Sequence, residues 1–128
     1  MQDKVTFEYA IIRVVPKVER EEFFNVGVIL FSKRKKFLGV KYKINPKKLE
    51  AFSTVEITIE LLNEYLQSWE LICKGEPAGG TIGKLELSDR FRWLAACRST
   101  IIQSSQTHSG LCDDPEKELN DIFKKYVL

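Results

Sequence analysis

Residues 25–32, NVGVILFS, followed at residues 37–44 by FLGVKYKI, decide the fold. The first run is apolar on both faces and rich in β-branched residues, the pattern of a strand covered on both sides. The second alternates: Leu38, Val40, Tyr42 and Ile44 share one face, and Lys41 and Lys43 take the other. The basic turn KRKK at residues 33–36 joins the two runs, which predicts an antiparallel hairpin with one face in water. Gly27, inside the first strand, predicts close approach of a neighbouring chain segment.

Upstream, residues 5–15 (VTFEYAIIRVV) form a further strand, apolar on both faces from Tyr9 onward and therefore central in a sheet. Pro16 ends it by removing a backbone donor. Arg13 interrupts the apolar run. A guanidinium there must find a carboxylate, with Glu22 the nearest candidate, or reach solvent or a ligand, because an unpaired buried charge is costly.

Downstream, Asn45-Pro46 breaks the sheet, and Ser53 with Glu56 fits a helix capping box. Leu61, Leu62, Tyr65, Leu66, Trp69, Ile72 and Cys73 then recur at helical spacing, and Gly75 supplies the stop. The glycine-rich residues 76–87 lack the spacing of a phosphate-binding loop and read as a mobile connection. Ser88 caps a short helix that buries Phe91, Leu94 and Ala95. A short strand follows at residues 100–104, and Gly110 reads as a turn. Asp114-Pro115 starts a closing helix with the stripe Leu119, Ile122, Phe123, Tyr126 and Val127. The order β-β-β-α-α-β-α predicts a single α+β domain over residues 1–128, with two layers: an antiparallel sheet of about four strands and helices on one face.

At 44% hydrophobic and 30% charged residues, composition matches a globular domain, and no window approaches the ~20 apolar residues of a membrane span. The first residues lack the basic head of a signal peptide, so a cytoplasmic location is expected, with no membrane partner. Cys73, Cys97 and Cys112 are too far apart in sequence for a zinc or disulfide pattern and read as reduced thiols. No cofactor motif is present and no metal is expected. Residues 33–48 hold eight Lys or Arg and no acid, whereas residues 50–76 hold six Glu and one Lys. The basic hairpin, Lys33 through Lys43, is therefore a candidate nucleic-acid contact, although it lacks a set of exposed stacking aromatics.

Residues 98–115, RSTIIQSSQTHSGLCDDP, concentrate the polar chemistry. His108 is the only histidine, and it stands among hydroxyls with Asp113 and Asp114 close behind. A nucleophilic triad would use that set, but no strained serine elbow is present, and Asp114 is also required as a helix cap. Arg98, followed by Ser99 and Thr100, suits an anion.

Two stretches together carry a resemblance. The first is Tyr9-x3-Arg13-x2-Pro16, continuing through Arg20-x-Glu22-Phe23-x-Asn25-Val26-Gly27-Val28. The second is Arg90-Phe91-x-Trp93-Leu94-x-Ala96-x-Arg98-Ser99-Thr100-x-Ile102-Gln103, then His108-x-Gly110-Leu111 and Asp114-Pro115. They resemble a family of short bacterial proteins known as a domain of unknown function. The resemblance implies no activity, substrate or cofactor. It implies that members are encoded beside HipA-like kinases, which makes such a kinase a candidate partner, and that the two stretches serve one purpose. The residues expected to meet in one ligand pocket are Arg13, Glu22, Asn25, Arg98, Thr100, Gln103 and His108. The favoured reading is a non-enzymatic binding module for a protein partner with an anionic ligand. A small hydrolase or transferase acting on a phosphorylated or nucleotide-like substrate through His108 is the alternative, and nucleic-acid binding by the hairpin is the third.

Overall fold

The computed structural model describes residues 4–15, 22–51, 58–75, 79–96 and 102–128. Strand β1 (Val5–Val14) is central, as its two apolar faces require. It pairs antiparallel on one side with β2 (Phe24–Ser32), which pairs in turn with β3 (Phe37–Tyr42). On its other side β1 meets β4 (Ile102–Ser104) near its end and β5 (His108–Cys112) near its start. Ser104 lies opposite Ile12 and His108 opposite Tyr9, so the β4–β5 side spends one residue more than β1 over this stretch. It is a single returning strand interrupted by a bulge. Gly110 is therefore a strand residue rather than a turn: it faces Phe7, whose ring lies 2.9 Å from where a Cβ would stand.

The sheet is antiparallel and the class is α+β, but helices cover both faces. Ala10, Ile12 and Val14 of β1 face a core closed by α1 (Pro46–Ala51), α2 (Ile59–Lys74) and α4 (Leu87–Ala95) through Leu49, Leu62, Leu66, Trp69, Phe91 and Leu94. The alternate residues Val5, Phe7 and Ile11 face α5 (Pro115–Tyr126) through Leu119, Ile122 and Phe123. The hairpin face expected to be wet is thus roofed by α5: Lys41 is half-buried, and its Nζ donates to Asn120 Oδ1 at 2.8 Å.

Caps explain where the helices begin and end. Thr58 accepts from the Leu61 amide at 3.1 Å, and Gly75, at φ 71°, closes α2 in the left-handed region. The expected capping box at Ser53 and Glu56 lies outside the described residues. Asn45 Oδ1 accepts from the Lys47 amide at 2.9 Å, so the Asn-Pro break also starts α1. Asp114 caps α5, with Pro115 at its first position. Leu87, not Ser88, begins α4, and one helical turn, α3 (Gly80–Gly83), stands inside the glycine-rich stretch. Cys73 and Cys112 are free and buried, and Cys97 is outside the described residues. No described helix is long and apolar enough to cross a membrane.

Candidate functional site

Register slips build the site. Ile12 faces Gly27 while Arg13 faces Asn25, so Val26 is an extra residue in β2. Without it Asn25 would be shifted off Arg13 by one place and onto the opposite face. Across the other edge Arg13 faces Gln103 on β4. Asn25, Arg13 and Gln103 therefore form one row across three neighbouring strands, on the sheet face that carries α5. Asn25 Nδ2 donates to the Tyr126 carbonyl at 3.1 Å, which ties the row to the C-terminal end of that helix.

Arg13 is half-buried. Its guanidinium carbon stands 4.1 Å from the centroid of the Phe23 ring, in cation–π contact with a side chain that is itself 47% exposed. Its Nε is buried and has no hydrogen-bond partner among the described residues. Glu22 is exposed, two positions ahead of β2. Arg98 and Thr100 lie outside the described residues, so the structure tests neither.

His108 does not join this row. It sits opposite Tyr9, four residues from Arg13 along β1, about 13 Å away at ~3.3 Å per residue. Its ring lies 5.3 Å from that of Tyr9, tilted by 35°. The side chain is exposed, and among the described residues no hydrogen bond joins it to an acid or a hydroxyl. Asp114 is used as the α5 cap. Among the described residues no cluster of metal-ligating side chains occurs.

Sequence reasoning missed Phe23 and Ser105. The Ser105 hydroxyl accepts from the Ile11 amide at 2.8 Å, and the Ser105 amide donates to the Ile11 carbonyl at 2.8 Å, so this residue fixes the bulge beside the row. With residues 108–112 read as a turn rather than a strand, nothing local marks Ser105 as the residue of a bulge. The basic hairpin is divided: Lys41 is engaged under α5, and the six residues of β3, about 20 Å at ~3.3 Å each, separate residues 33–36 from Lys43.

The family whose pattern is described as "Protein of unknown function (DUF3037)" matches residues 9–127 of the 128-residue chain. The chain belongs to that family. No curated protein and no solved structure matches it. The DUF3037 match takes in β1 from Tyr9, the Arg13 row and all of α5.

Proposed function

We propose that this DUF3037 chain is a non-enzymatic binding module that holds an anionic group of a protein partner, a carboxylate or a phosphate, at Arg13. The observation that carries the reading is the buried Nε of Arg13, which has no hydrogen-bond partner among the described residues. A guanidinium is always charged, and leaving a buried donor unsatisfied costs about 1–3 kcal/mol. An oxyanion accepting from the Arg13 fork removes that penalty with a charge-assisted bond. Gln103 adds an amide donor on one side, and Asn25 is held in place by Tyr126 on the other. Phe23 covers the guanidinium and is exposed enough to be displaced by a ligand or to pack against one. Glu22, Arg98 and Thr100 belong to the same proposed pocket from the flanking segments. The HipA-like kinase implied by the resemblance is the candidate partner.

The test compares wild type with Arg13→Met, which keeps most of the apolar stem, in inorganic phosphate and in Nα-acetyl-aspartate amide against chloride of equal ionic strength. Ligands that bind only the folded state raise its stability by mass action. The denaturation midpoint should rise in wild type and stay fixed in Arg13→Met. An equal rise in both proteins would overturn the reading.

A further inference from the structure

A second site lies on the same sheet face, toward the start of β1. A groove of about 310 Å3 runs between β1, β5 and α5 from Glu118 to Tyr126. Aromatic rings floor it: Phe7 and Tyr9 are stacked at 6.0 Å, and Tyr126 closes one end. Tyr9 is in turn 5.3 Å from His108 on β5. The α5 wall presents Glu118 and Asp121, and neither is in an ion pair among the described residues. Glu118 lines the groove beside Tyr9, and burial, the Tyr126 hydroxyl and the Glu118 carboxylate all raise the Tyr9 hydroxyl above its ordinary pKa.

Ring faces on α5 already receive ammonium groups. Lys125 Nζ lies 5.3 Å from the Tyr126 centroid, and Lys41 Nζ lies 5.2 Å from that of Phe123. Lys125 is the single cation lining the groove, against two carboxylates. Aromatic faces beside carboxylates suit a cation that keeps an apolar body, and they disfavour a compact metal ion, which needs convergent oxygen ligands.

We infer that this groove binds an organic cation, an alkylammonium or guanidinium group, with its carbon stem on Phe7 and Tyr9 and its charge between Glu118 and Asp121. The groove meets the Arg13 row at Tyr126, whose carbonyl holds Asn25, but its ligand chemistry does not rest on the anion reading. Such a group is carried by a basic side chain of a peptide or by a free polyamine.

Amide NMR shifts on titration with Nα-acetyl-lysine methylamide, Nα-acetyl-arginine methylamide and spermidine test the assignment, with the uncharged norleucine derivative as control. Saturable shifts are expected at Tyr9, Ser109, Glu118 and Tyr126 with the cations and not with norleucine. Tighter binding of the amino-acid derivatives would assign a peptide side chain, and tighter binding of spermidine a polyamine. Paired Glu118→Gln and Asp121→Asn, both conservative and near the surface, should weaken binding at least tenfold. Tyr126→Leu, at a residue 42% exposed, should weaken it severalfold without loss of fold. Equal shifts with norleucine, equal affinity in the paired variant, or no saturation would each overturn the inference.

Discussion

Gly27 stands beside the extra residue of β2, where a Cβ would lie 2.7 Å from the Lys41 carbonyl oxygen and 3.0 Å from the Tyr42 Cβ. Backbone cannot yield as a flexible side chain does, so Gly27→Val should destabilise by more than ~1 kcal/mol through overpacking. A denaturant midpoint equal to wild type would contradict this. The crowding is legible in the sequence, because a lone glycine inside an otherwise apolar strand marks a place where a neighbour comes close. Gly110 reads as a turn because glycine serves both purposes, and only the cross-strand register reveals the Phe7 ring against it. Burial pushes the Cys73 thiol from the usual value near 9 up to about 12, the Glu70 carboxylate adding to the rise and Arg90 opposing it. Burial and the hydrogen bond to Glu70 likewise raise the Tyr42 hydroxyl to about 12. In both cases the unfolded chain gives up its proton at lower pH than the folded one. The stability linked to each group is therefore complete below its unfolded pKa and is lost as pH rises toward 12. Urea midpoints should fall over that window, less steeply in Cys73→Ala. An identical decline in the variant would remove Cys73 from the account.

At the scale of elements, α5 is the part that alternation could not place. Lys41 and Lys43 share the pattern of a solvent face, yet the Lys41 ammonium lies over the Phe123 ring and donates to Asn120, as the head of a long basic side chain can. Period-two patterning assigns a residue to a face and does not say what lies above it. The two lysines should then differ. Lys41→Ala should cost about 1 kcal/mol through a lost hydrogen bond and lost apolar contact, whereas exposed Lys43→Ala should stay within ~0.5 kcal/mol. Equal midpoints for the two variants would contradict the roof that α5 forms. The helix stripes are readable in the main: Leu62, Leu66, Trp69, Ile72 and Cys73 are buried as their spacing requires, as are Leu119, Ile122 and Phe123, whereas Tyr65 and Tyr126, at the edges of the two stripes, are exposed. Asp114 and Gly75 act as the caps that their residue types suggest.

For the whole molecule, the three opening strands, the helices after them, a returning strand at Ile102 and the closing helix follow from the chain, while α1, α3, β5 and the choice of β1 as the partner of the return do not, and neither does the site. Arg13, Asn25 and Gln103 meet because β2 carries an extra residue and because β4 joins the free edge of β1, and neither feature has a local sequence mark. His108 falls outside the row because it lies five residues beyond Gln103 along the edge that pairs with β1; the bulge at residues 105–107 moves it only from Glu8 to Tyr9. Global charge is also arranged differently from its linear pattern, with the exposed basic turn at residues 33–36 separated from Lys43 by the length of β3. Lys35→Glu with Lys36→Glu should leave the melting midpoint within ~0.5 kcal/mol of wild type, since the turn buries little. A large loss would mean that the turn is structural. The central claim is that Arg13 is an anion receptor, and the side-chain Nε–H resonances of the arginines test it most directly. Arg90 is the internal control, because its Nε is also buried without a partner among the described residues while its Nη1 is held by the Ile72 and Cys73 carbonyls, each at 2.9 Å. On titration with inorganic phosphate, the Arg13 signal, assigned by its absence in Arg13→Lys, should shift and saturate while the Arg90 signal stays fixed. An unmoved Arg13 signal, or equal movement of both, would contradict the account.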